Sequence, residues 1–176
     1  MVTPSTETEA ISRATERLVA DIIGPQDSKV DRVESLTEFL YQSMHKRRSK
    51  DSIRKIVINS RNMERKLKYT ESEMILAIIS VESHFNLNAS NNGSFGLMQV
   101  EEKSHLTKLR GRDVFNMYVN MEVGSRVYEE YYGMFGNIRS TLLAYNAGPT
   151  NYRIGNFNEE YYTKVISVYD SLKALR

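Results

Sequence analysis

The chain has no cysteine among its 176 residues. That excludes disulfides, thiolate nucleophiles and cysteine-ligated zinc. It has no tryptophan and only three prolines. Histidine occurs three times, as His45, His84 and His105, with no two at metal-ligand spacing. A histidine-built metal site is therefore not expected. No apolar run approaches the ~20 residues that span a bilayer. Residues 1–13 are polar and acidic and lack the pattern of a secretory signal. A large excess of one charge is missing too, since the formal net charge is +2.

What is present is the composition of an ordinary globular chain, 40% hydrophobic and 26% charged. A chain of this size buries roughly 70% of its unfolded surface, enough for a core without staples. The charge is unevenly spread. Residues 1–44 carry four basic and eight acidic side chains, and residues 45–68 carry ten basic and two acidic. Such a basic block attracts polyanions such as nucleic acid, anionic lipid or wall polymer. The plainer reading is a solvated helix face. Ile53, Ile56, Val57, Ser60 and Met63 fall on one helical stripe and leave the charges outward.

Periodicity predicts helices nearly throughout. Ala10, Ile11, Ala14, Leu18, Val19 and Ile22 mark a helix over 7–24, stopped by Gly24-Pro25. Val30, Val33, Leu36, Leu40 and Met44 mark another over 29–48. Ser49 and Asp51 are placed to cap a third, running to about Leu67. Thr70 with Glu73 predicts a capping box opening the apolar run 74–85. Strand signals are weak, with room for a short hairpin within 86–100. Further helices are expected over 101–110, 118–135, from 138 to a break at Asn146-Ala147-Gly148-Pro149, and over 159–175. Eight of the nine glycines lie beyond residue 69. These patterns give a mainly α-helical protein with a helical extension at 1–68 and a functional domain at 69–176.

Glu82 is the most informative single residue. Ile75, Ile78, Ile79 and Glu82 share one helix face, so the carboxylate closes an apolar stripe. Burial there raises its pKa, and a carboxyl still protonated near neutral pH can act as a general acid. A helix-end glutamate reaching solvent is the bland alternative. Gly93 and Gly96 make a tight loop, yet without the lysine of a phosphate loop. Tyr145 and Asn146, at a helix end, can offer a flat face and an amide fork to a sugar. Tyr161, Val165 and Tyr169 form a stripe that is more often core than site.

In this order the segments carry a resemblance. Glu82-Ser83 resembles the Glu-Ser motif of the soluble lytic transglycosylases, lysozyme-like enzymes that cleave bacterial peptidoglycan. Gly96-Leu97-Met98-Gln99-Val100 is similar to that family's second motif, and Asn120 to Gly124 to its Asn-Ile-x-x-Gly stretch. Ala144-Tyr145-Asn146-Ala147-Gly148-Pro149 matches its Ala-Tyr-Asn-Ala-Gly-Pro motif, and Tyr161 to Val165 is similar to its Tyr-Val-x-x-Val motif. The resemblance covers about residues 70–170. It departs from the family at Leu87 and Glu102, where prolines are usual, and in a Glu82-to-Gly96 spacing shorter by one residue.

The resemblance implies a lysozyme-like catalytic domain and a single catalytic residue, Glu82. As acid, Glu82 would protonate the oxygen joining N-acetylmuramic acid to N-acetylglucosamine. As base, it would then take the proton of the muramic C6 hydroxyl, closing a 1,6-anhydro ring. The substrate's N-acetyl group would assist, in place of a second carboxylate. Ser90, Met98, Gln99, Tyr145, Asn146 and Tyr161 would bind the glycan. No metal or organic cofactor is implied. The expected partners are peptidoglycan strands, with virion or secretion-assembly proteins meeting residues 1–68, and no specific nucleic acid. The site of action would be the cell wall in the periplasm. The missing signal pattern suggests delivery as a bacteriophage virion component during genome entry. A hydrolytic muramidase on the same fold and a non-catalytic wall-binding or structural virion protein are the alternatives.

Overall fold

The structure is a computed structural model that describes residues 32–175. The helix expected at 7–24 and the start of that expected at 29–48 lie outside these residues. Helix α1 covers 32–43. It buries Leu36 and Leu40, as their spacing requires. Helix α2 is Lys50–Glu64, and the Ser49 hydroxyl caps it by accepting from the Ser52 amide at 3.1 Å. Its whole apolar stripe, Ile53, Ile56, Val57, Ser60 and Met63, is buried. Both helices lie in the segment expected as an extension, and both feed the same core as the helices that follow.

Helix α3 is Ser72–Ser83 and runs through the middle of the molecule, packed between α2 and α8 (Glu159–Ala174). Met74 to Ile79 are buried on every side, which explains a run apolar all round rather than on one stripe. Each of Ile75, Leu76, Ile78 and Ile79 is fully buried, a gain of roughly 1.5–3 kcal/mol apiece. The expected capping box is not formed. Glu71 takes the cap position without a side-chain bond, and the Thr70 hydroxyl donates instead to Glu129 at 2.6 Å. The same Glu129 carboxylate accepts from the amides of Lys68 and Tyr69 at 2.7 and 3.0 Å. Glu73 is held by Arg32 and Ser72, each donating at 2.8 Å. A carboxylate from a distant helix thus outcompetes the local cap.

The turn-rich stretch forms three two-residue strands, β1 (Ser90–Asn91), β2 (Ser94–Phe95) and β3 (Val100–Glu101). They are antiparallel in the order β1-β2-β3, with Ser90 opposite Phe95 and Ser94 opposite Glu101. The helix expected over 101–110 is a 3-10 turn, Lys103–His105, followed by α4, Leu106–Leu109. Helix α5 is Met117–Phe135, capped by the Asn116 side chain, and α6 is Ile138–Ala147, capped by that of Asn137. The break at Gly148 is one residue long. Its φ of +82° ends α6, and Pro149 opens α7, Pro149–Arg153. Proline suits that first position because its missing N–H is not needed there. Helix α6 packs on α5, α7 and α8 and so carries its C-terminal end to the mouth of the cleft.

Candidate active site

Glu82 sits in the last turn of α3, where the apolar face ends. His84 and Phe85 follow with φ of +49° and +58° and turn the chain out of the helix. Phe85 buries its ring, and the chain enters the β1–β3 hairpin. From α8, on the other side, the Tyr161 hydroxyl donates to Glu82 Oε1 at 2.7 Å. Burial of the Glu82 carboxyl pushes its pKa up to about 7, against the downward pull of the Tyr161 bond. Among the described residues, no charged group contributes to this shift. Burial, and then the Glu82 charge, raise the Tyr161 hydroxyl well above the ordinary tyrosine range, so Tyr161 remains a donor.

The floor of the cleft is held by glycines and one asparagine. A Cβ on Gly96, whose φ is +74°, would come within 2.3 Å of Asn120 Nδ2. A Cβ on Gly124 would come within 2.6 Å of Met98 Cβ. These close approaches seat the hairpin on α5. Asn120 then makes three bonds. Its Oδ1 accepts from the Met98 amide at 2.8 Å, and its Nδ2 donates to the carbonyls of Phe95 and Val114 at 2.8 and 2.9 Å. Tyr145 ties α6 to the same loop by donating to the Met98 carbonyl at 2.9 Å. Gln99, with φ of +47°, folds back and donates from Nε2 to the Gly96 carbonyl at 2.9 Å.

Together these elements enclose a cleft of about 680 Å³. Glu82, Gln99, Tyr145 and Asn146 line it, so four of the seven residues singled out from the sequence meet there. The other three lie elsewhere. Tyr161 is 6% exposed and reaches Glu82 from behind. The Met98 side chain is fully buried against Gly124 and Ser125, and its carbonyl accepts the Tyr145 hydroxyl bond. Ser90 is exposed on β1, and the cleft wall there is formed by Asn91, Asn92 and Ser94.

Several cleft residues escaped the sequence reading. Tyr131 and Glu130 come from the C-terminal third of α5, and His105 and Lys108 from the segment after the hairpin. His105 Nδ1 is buried without a hydrogen-bond partner among the described residues. Burial, and then the charge of Lys108, hold the His105 pKa below its ordinary value, so the ring is neutral at pH 7. Glu130 is paired with Lys108 at 2.7 Å, and the Ser104 hydroxyl donates to Glu101. Both carboxylates line the cleft that holds Glu82.

A polar cleft with one half-buried, proton-bearing carboxyl, set in a mainly α-helical frame beside a small hairpin, is the build of a lysozyme-like domain. The family model of the transglycosylase SLT domain matches residues 60–165, and the chain belongs to this family. Its members are lytic transglycosylases, so a peptidoglycan-cleaving activity of that general type acting on the cell wall goes with the fold. No solved structure matches the chain. Among the described residues, no helix is long and apolar enough to cross a membrane.

Proposed function

We propose that this chain cleaves the β-1,4 bond between N-acetylmuramic acid and N-acetylglucosamine without water, with Glu82 as the single acid and base. The observation that carries the reading is the Glu82 carboxyl itself. It lines a cleft of sugar-binding size, its pKa is near 7, and its one bond is to a tyrosine hydroxyl. A group titrating near the working pH can both give and take a proton. In the first step Glu82 gives its proton to the glycosidic oxygen as the C1–O bond breaks, with the substrate's N-acetyl oxygen supporting C1. In the second, the Glu82 carboxylate takes the proton of the muramic C6 hydroxyl as O6 bonds to C1. The proton count closes and no water is consumed.

Gln99, Tyr145 and Asn146 hold the sugar in this reading. Tyr161 is a positioning residue, fixing the carboxyl through Oε1 and leaving Oε2 toward the substrate. Glu101 and Glu130 do not serve as nucleophile. Glu130 is engaged with Lys108, and neither contributes to the raised pKa of Glu82.

The test is digestion of purified sacculi by the wild type and by Glu82→Gln, with products weighed by mass spectrometry. Fragments ending in 1,6-anhydro-muramic acid, absent with the variant, are the expected result. Fragments heavier by one water, with free reducing ends, would mean a hydrolytic muramidase. No fragments from the wild type would leave a wall-binding protein.

A further inference from the structure

The candidate cleft and a basic hollow meet at Lys108. Lys108 lines both the cleft and a neighbouring hollow of about 420 Å³. That hollow shares Arg126 and Glu122 with a third, of about 540 Å³, between the C-terminal end of α2 and the outer face of α5. Along this path stand six cations: Lys108, Arg110, Arg112, Arg126, Arg65 and Lys66. The carboxylate in the walls of the two outer hollows is Glu122, and it is shared by Arg112 at 2.8 Å and Arg126 at 3.1 Å. Arg65, Lys66 and Arg110 have no carboxylate partner among the described residues and are exposed. The cations come from three separated parts of the chain, yet they line two adjoining hollows, the nearer of which shares Lys108 with the cleft. The outermost hollow is not only basic. Met63, Leu67 and the exposed ring of Tyr118 form apolar wall, and Asn59 and Asn62 add amides.

We propose that this groove binds the acidic peptide stems carried by the glycan strand in the cleft, pairing their carboxylates with Arg65, Lys66 and Arg110. The inference rests on the peptidoglycan reading of the cleft. Guanidinium forks match carboxylates in two-bond geometry. Apolar wall and side-chain amides suit a peptide, which has apolar side chains and amide groups of its own. A bare chain of phosphodiesters and polyols has neither, so phosphate-rich wall polymers fit this lining less well. A peptide attached to a sugar already in the cleft also binds at high effective concentration, so weak exposed pairs suffice.

The experiment compares Glu82→Gln, which leaves the sacculi uncut, with Glu82→Gln carrying Arg65→Gln, Lys66→Gln and Arg110→Gln. Among the described residues these cations have no ion-pair partner, so their removal orphans none of the described carboxylates. Binding to sacculi is measured by co-sedimentation, with untreated sacculi and with sacculi whose carboxylates are capped as neutral amides. Circular dichroism and the melting curve confirm that both proteins are folded. The expected result is a binding loss of about tenfold for the charge variant on untreated sacculi, from three exposed pairs. On capped sacculi the two proteins should bind alike. Equal binding to untreated sacculi overturns the proposal, as does an equal loss on capped ones. A loss that survives capping but vanishes when phosphate polymers are stripped with hydrofluoric acid would assign the groove to phosphate. Competition by a short DNA duplex at lower concentration than by soluble peptide-bearing fragments would assign it to nucleic acid. Release of anhydro fragments by the unmodified chain is scored separately, so failure of the cleavage reading is distinguishable from failure of the groove.

Discussion

Replacing Glu82 by glutamine should make the protein more stable, and only above acid pH. The carboxyl titrates near 4.5 in an unfolded chain and at about 7 in the folded one. Between these values the native state binds more protons than the unfolded state, so the wild type loses stability as pH rises. Below about pH 4.5 both states hold the proton and Glu82 contributes no penalty. Above about 7 the full cost of ionising a buried carboxyl is present, roughly 3 kcal/mol at 1.36 kcal/mol per pKa step. Glutamine has nearly the same shape, never ionises, and can still accept from the Tyr161 hydroxyl. The stability difference between Glu82→Gln and wild type should therefore be small at pH 4.5 and grow to about 3 kcal/mol by pH 8. Urea unfolding of both proteins at five pH values across that range measures it, and titrations common to both cancel in the difference. A difference that stays flat within about 0.5 kcal/mol would refute the reasoning. It would mean that water reaches the carboxyl freely and that its acid role has no basis in burial.

Further outcomes follow from the same geometry. Tyr161→Phe removes the bond that pulls the Glu82 pKa down, so the alkaline limb of the pH–rate profile should move upward while kcat falls; an unmoved limb would show that Tyr161 only fills space. Asn120→Ala strands the Met98 amide and two carbonyls in the floor of the cleft and should cost about 2–4 kcal/mol in urea unfolding. Gly124→Ala drives a methyl into Met98 and the Tyr145 hydroxyl and should cost about 1–3 kcal/mol. Unchanged melting would show that the hairpin can shift away. Glu73 behaves oppositely to Glu82: burial raises its pKa, but the bonds from Arg32 and Ser72 outweigh it and the net direction is down. Its contribution is present at neutral pH and lost as pH falls below the usual glutamate range. Glu73→Gln should therefore destabilise at pH 7 and approach wild-type stability in acid.

Much of the frame was legible in the sequence because helices are periodic and local. The stripe of α2 is buried where its spacing placed it, as are Leu36 and Leu40 of α1 and Tyr161 and Val165 of α8, whereas Tyr169 is only partly covered. Ser49 could be recognised as a cap because a cap acts within three residues. The Thr70–Glu73 pair misled for the complementary reason. A capping box is a local option, and Glu129, some sixty residues on, offers a better acceptor for the same groups. The break at Gly148 was visible, but not that Pro149 would begin a new helix at once.

By itself, then, the sequence determined which residue types occur in which order, and from motif order it determined the family and offered Glu82, Ser90, Met98, Gln99, Tyr145, Asn146 and Tyr161 as candidates. Only the tertiary structure decided which way those side chains turn. Met98 and Gln99 are neighbours in one motif, yet Gln99 is left-handed, with φ of +47°, and Met98 is buried in the core while Gln99 lines the cleft. The partner of Glu82 lies 79 residues away, and the basic path is assembled from α2, the segment after the hairpin and α5. Such meetings depend on how helices pack at distance, through shape and burial summed over the whole core, and no window of sequence contains that sum.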